Sequence, residues 1–203
     1  RFDDRDRLYL SGYFGRDVFD FVNGRQSLKV NIPWGNATGT LRWNHVFNKK
    51  LFANTTAVYN DYKFTFKAIQ NDFEVKLASG IRDLSLKQDF DYYPYAKQKM
   101  KFGLAYTYHR FTPSVVSGKQ DSVVFDPLNA QVKFAHEGAV YFQDDWEVTK
   151  KLQVNAGLRY SFFQQIGPHK IFTTDVDGNR LDSSVFKSGQ PVKTYGGLEP
   201  RLT

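Results

Sequence analysis

Cysteine is absent from the 203 residues, which excludes disulfides, thiolate metal sites and cysteine nucleophiles. No run approaches the roughly 18 apolar residues that a membrane-spanning helix needs. Strands that cross a membrane are untouched by that absence, because they turn only every second residue to lipid. Helical periodicity is missing as well. Hydrophobic residues make up 41% of the chain and mean hydropathy is -0.52, which does not describe a soluble core built on Leu, Ile and Val. There is no GxSxG elbow, no HExxH and no phosphate-binding glycine loop. The expectation is a chain with no enzymatic activity and no cofactor.

What is present is aromatic: 19 Phe, 12 Tyr and 3 Trp, 17% of the residues. Many aromatics in an otherwise polar sequence suit amphipathic strands whose Tyr and Trp lie at a polar boundary. Residues 150–163 show the pattern. Leu152, Val154, Ala156, Leu158, Tyr160 and Phe162 fall on one parity, and Gln153, Asn155, Gly157, Arg159 and Ser161 on the other. Period two marks a strand with one apolar and one wet face.

The alternation recurs over 5–17, 37–47, 78–93, 99–111 and 130–149. Segment 50–66 is ambiguous: Leu51, Ala53, Ala57 and Tyr59 share a parity, while Val58 and Phe64 take the other. An eighth strand begins near Tyr195. Tight connections are expected near 48–50, 94–98 and 149–151, and longer ones near 22–36, 67–74, 112–129 and 165–193. Short turns on one side and long loops on the other are the layout of an outer-membrane barrel; the Greek-key connections of a sandwich mix lengths at both ends. The fold expected is all-β: antiparallel up-and-down strands of a transmembrane β-barrel, about seven complete and part of an eighth. Two alternatives stay open, a soluble β-sandwich or surface adhesin and a small self-contained outer-membrane barrel.

Lys and Arg number 28 against 21 Asp and Glu, a formal charge of +7. The excess gathers at Asn48-Lys49-Lys50, at Lys97 to Lys101 and at Lys150-Lys151. No nucleic-acid signature accompanies it, so a nucleic-acid partner is not expected; basic turns beside anionic headgroups are the better explanation. His45, His109, His136 and His169 are dispersed without an i,i+4 pair and read as wall residues. Asp175-Val176-Asp177-Gly178-Asn179 reads as a hairpin turn rather than a calcium loop, because the closing Glu is missing.

On a barrel wall, Trp43, Tyr92, Tyr108 and Trp146 would be membrane-interface aromatics. Arg42, Asp83, Lys87, Asp89, Lys101, Asn155 and Arg159 would face the lumen, pairing with one another or with a plug. No catalytic, cofactor or metal residue is assigned, and ligand specificity is expected in the long loops.

Several words of the sequence carry a resemblance. They are Asp6-Arg7-Leu8-Tyr9-Leu10-Ser11 with Gly15-Arg16-Asp17, Leu41-Arg42-Trp43-Asn44-His45 before Asn48-Lys49-Lys50-Leu51-Phe52, and Ser79-Gly80-Ile81-Arg82-Asp83. Tyr141-Phe142-Gln143-Asp144-Asp145-Trp146, Gly157-Leu158-Arg159-Tyr160 and Tyr195-Gly196-Gly197-Leu198-Glu199-Pro200-Arg201 follow in order. The chain resembles the barrel region of TonB-dependent outer-membrane receptors, particularly those of Bacteroidetes-type bacteria. The resemblance implies a 22-stranded barrel with an N-terminal plug, importing a scarce nutrient with energy passed on by TonB. It further implies outer-membrane lipid, the TonB complex and a surface lipoprotein as partners. This chain would then supply the middle of the wall. It opens at Arg1 without Met or signal peptide and carries no plug, so it is expected to be a piece, or the mature part, of a longer protein.

Overall fold

A computed structural model describes residues 4–25, 27–120, 123–125, 131–174, 176 and 180–203. These residues form eleven strands: β1 Asp6–Asn23, β2 Leu28–Val46, β3 Leu51–Gln70, β4 Phe73–Tyr95, β5 Gln98–Gln120, β6 Val123–Phe125, β7 Lys133–Thr149, β8 Leu152–Ile166, β9 His169–Thr174, β10 Arg180–Phe186 and β11 Pro191–Leu202. The main sheet runs β1-β2-β3-β4-β5-β7-β8-β11, every neighbour antiparallel, with β6 folded back on the end of β5. β9 and β10 form a separate hairpin. Among the described residues the sheet is open: β1 pairs with β2 alone and β11 with β8 alone. The up-and-down, all-strand architecture expected from the alternation is what the chain adopts.

Two of the expected long loops are strand. Among the described residues of 22–36, turn structure is confined to Gly24, Arg25 and Ser27, the last with a φ of 51°, and β2 starts at Leu28. Within 67–74 the connection shrinks to Asn71-Asp72, with Asn71 at φ 52°. That left-handed backbone suits a two-residue hairpin turn, and Asn tolerates it better than most residues. The polar residues in these stretches carry strands onward past the apolar band, and their polarity reflects water on both faces rather than irregular chain. The stretch 112–129 is also strand as far as Gln120, and 165–193 contains the β9–β10 hairpin. Asp175, Asp177, Gly178 and Asn179 lie outside the described residues.

The packing is inverted relative to a water-soluble protein. The chain exposes 14459 Å², whereas a compact monomer of this mass exposes about 9,800 Å². Among the described residues the buried apolar side chains are few: Ala53, Ala135, Ala139 and Ile166. Meanwhile Leu10, Leu84 and Val140 are 82, 58 and 56% exposed. A patch of this extent is far beyond the few hundred Å² that monomers leave in contact with water. The sandwich alternative fails here, because among the described residues no second sheet packs over that face, which stays exposed. The register also resolves the ambiguous strand: Ala53, Ala57 and Tyr59 align with Phe90, Leu86 and Leu84, which puts them on the apolar face, and Val58 aligns with Ser85 on the other.

Candidate functional site: the two faces of the sheet

Directly paired residues project to the same side of a sheet, so the register sorts every side chain. The apolar face carries Leu8 to Phe14 of β1, Leu84 to Tyr92 of β4, Met100 to Tyr108 of β5 and Val154 to Phe162 of β8, each on alternate positions. The bands on β4, β5 and β8 match the span of about 9–11 residues with which a tilted barrel strand crosses the hydrocarbon layer, and the one on β1 is shorter. The strands themselves run to 23 residues in β4 and β5 and project well beyond it.

Two aromatic runs bound this band. At the short-turn end, Trp43 meets His45 (ring centroids 5.6 Å apart), His45 meets Phe47 (4.5 Å), and Phe90 stacks on Phe102 (5.1 Å). Trp43 Nε1 donates to Asp6 Oδ1 at 2.7 Å, and the same oxygen lies 2.7 Å from His45 Nδ1. Tyr92 and Trp146 lie on the same face at this end, aligned with Met100 and Val154. At the opposite end Tyr108 stacks on Phe134 (6.1 Å) and lies 5.4 Å from His136.

The other face is polar and cross-linked. Arg42, Asp83, Lys87, Lys101, Asn155 and Arg159 all share it, together with Asp89. The expected residues are not brought to one spot. They form a ladder over several strands. Lys87 Nζ lies 3.1 Å from Asp89 Oδ2 and sits over the Tyr141 ring. Asn155 donates to Asp145, Ser161 donates to Glu199 at 2.6 Å, and Arg159 Nε donates to Ser161 at 2.9 Å. Arg42 aligns with Thr56, and Lys101 with Asp91 and Gln143.

Two constellations here were not apparent from the sequence. His109, read as an isolated wall residue, lies between Asp83 (2.8 Å) and Glu137 (3.2 Å). Tyr141 reaches across Gly103 to donate to Asp89, the one buried charged residue among those described. Asp89, Gly103 and Tyr141 are direct partners on β4, β5 and β7. A Cβ at position 103 would lie 2.7 Å from the Tyr141 hydroxyl and closer still to the Gln88 carbonyl, so only glycine leaves room. The only available signal was parity within each strand, and parity does not give register. Among the described residues no group of three or more His, Cys, Asp or Glu is placed to hold a metal ion.

A family of outer membrane beta barrel domains matches residues 90–195, from the end of β4 into β11. The chain belongs to this family. An outer membrane beta barrel domain accounts for both faces at once: lipid covers the exposed Leu, Phe and Val side chains, and the charges of the opposite face, Lys87, Asp89 and Arg159 among them, are kept away from it. The barrel's strands are transmembrane, and it resides in the outer membrane. No curated protein and no solved structure matches the chain.

Proposed function

We propose that this barrel is wall from the middle of a TonB-dependent outer-membrane receptor, one that imports a scarce nutrient such as a siderophore, metal complex, oligosaccharide or peptide. The observation that carries this reading is the charged ladder on the polar face combined with the open edges of β1 and β11. Unpaired backbone is not tolerated in lipid, so in this reading further strands continue from both edges and make a wide barrel. A wide barrel holds a plug, and paired charges such as Lys87–Asp89 and Arg159–Glu199 offer it a hydrogen-bonding wall. Arg42, Asp83, Lys101 and Asn155 are lumen-facing in the same sense.

Trp43, Tyr92, Tyr108 and Trp146 then lie at the membrane interfaces, where an amphipathic ring meets headgroups. The end with tight basic turns faces the periplasm, and the projecting hairpins face outward, following the usual polarity of such barrels. The wall performs no catalysis of its own. TonB, a plug and a surface lipoprotein are the partners this reading requires. A self-contained barrel is the competing reading, favoured by the eight strands of the main path, the smallest number that closes.

The test is uptake by intact cells of labelled compounds from the four nutrient classes, with and without a functional TonB. In parallel, residues 169–186, the β9–β10 hairpin, are deleted. The expected result is TonB-dependent uptake that the deletion weakens while outer-membrane insertion persists. Uptake that ignores TonB, or loss of insertion in step with uptake, would sink the proposal.

A further inference from the structure

Beyond the apolar band the lipid-facing parity changes character. On β1 it passes from Phe14 to Arg16, on β3 from Tyr59 to Asp61 and Lys63, on β4 from Leu84 to Arg82, and on β5 from Tyr108 to Arg110. The register sets Asp61, Arg82 and Arg110 in one row. Arg16, Gly35, Lys63 and Gly80 form the next. The two glycines leave a hollow on each side of Lys63. One is lined by Lys63, Gly80, Arg82 and Arg110 with Asp61, the other by Phe14, Arg16, Gly35, Ala37 and Lys63. Backbone approach keeps them open: a Cβ at Gly35 would lie 2.9 Å from the Gly15 carbonyl, and one at Gly80 would lie 3.0 Å from that of Tyr62.

Charge in this rim is not balanced. Asp61 is shared by Arg82 (3.0 Å) and Lys63 (3.4 Å), while Arg16 and Arg110 make no ion pair among the described residues. Arg82 Nε is shielded from solvent and has no hydrogen-bond partner. Directly below the rim, β2 presents only Ala37 and Gly39 between Phe14 and Tyr59, and a Cβ at Gly39 would touch nothing within 4 Å. The hollow with Arg16 and Lys63 thus opens onto a strip of apolar wall without projecting side chains, and the hollow with Arg82 and Arg110 adjoins it across β3.

We propose that this rim binds the phosphate of a phosphorylated outer-leaflet lipid, one acyl chain lying along Ala37 and Gly39. Arg82 and Arg110 present guanidinium forks that match phosphate oxygens, and Lys63 adds a point charge between the hollows. The occupant is a lipid because the rim begins where the apolar band stops, on the face the outer membrane covers. The assignment to the outer leaflet rests on the orientation argued above; the phosphate chemistry does not.

The test uses the full outer-membrane protein extracted in detergent, with lipid retention read by native mass spectrometry. The probes are dioleoyl phosphatidic acid, dioleoyl phosphatidylcholine with the same chains, and inorganic phosphate. Phosphatidic acid is expected to be retained in excess over phosphatidylcholine. Arg82→Gln with Arg110→Gln should lower its retention by about fivefold per charge, leaving phosphatidylcholine unchanged. Arg110→Gln alone breaks no ion pair in the wall and should show its share of the loss even if the double variant folds poorly. Lys101→Gln, on the opposite face of the sheet, should keep full retention. Equal retention of both lipids, or no loss in Arg110→Gln, would overturn the site. Displacement of phosphatidic acid by inorganic phosphate at equal concentration would overturn the acyl half of the assignment.

Discussion

Tyr141, Gly103 and Asp89 show how a single polar pair is made inside a barrel wall. Asp89 is 8% exposed, so its charge needs partners, and it has two: the Lys87 ammonium and the Tyr141 hydroxyl. Gly103 exists between them because the phenol ring must cross that position. Tyr141→Phe should therefore cost about 1–3 kcal/mol, the usual penalty for leaving a buried acceptor short of a donor. Gly103→Val should cost a similar amount or more by driving the ring off Asp89. Urea titration of the folded protein in micelles reads both; a change below about 0.5 kcal/mol for either would mean the ring is not held there. Neither partner of Gly103 was legible in the sequence, because Asp89 and Tyr141 belong to different strands and only register joins them.

At the scale of the strand, period two was legible and its reach was not. The parities of β4, β5 and β8 follow from alternation alone: Leu84, Leu86 and Phe90 on one side, Asp83, Ser85 and Lys87 on the other. Lipid exposure gives this sorting a sharp consequence. Leu86→Lys, in the middle of the band, should destabilise insertion by about 2–4 kcal/mol, whereas Ser85→Lys on the opposite face should be tolerated. The heat-dependent mobility of the folded protein on a gel, followed through a urea series, separates the two; equal effects would mean that the faces are not lipid and lumen. The long polar stretches at 22–36 and 67–74 have the composition of loops and are mostly strand. Beyond the membrane both faces of a strand meet water, so the alternation fades while the hydrogen-bonded ladder continues, as Val30 opposite Ala68 and Lys67 opposite Lys76 show.

For the whole molecule the open question of closure becomes a distance. If β1 and β11 were neighbours in a closed eight-stranded barrel, their backbones would lie about 5 Å apart. With further strands between them they stand on well-separated parts of a wide wall. These 203 residues hold no cysteine, so Leu10→Cys and Leu198→Cys, both exposed on the lipid face, are the labels they contribute when the outer-membrane protein, with any cysteine elsewhere replaced by serine, is spin-labelled. A separation beyond about 20 Å is expected, several times the strand spacing. A short, narrow distance distribution would instead mark a self-contained barrel and remove the basis for a plug and for TonB.

Strands with one apolar and one polar face were legible in the residues alone, because an amphipathic period of two is a local property; that the apolar face stays uncovered, and so meets lipid, came from the fold. The tertiary structure alone decided which residues on neighbouring strands meet: His109 between Asp83 and Glu137, Tyr141 over Gly103, Asp61 shared by Arg82 and Lys63. A one-residue slip in register would send each of those side chains to the opposite face, and register is a relation between strands that no single strand encodes.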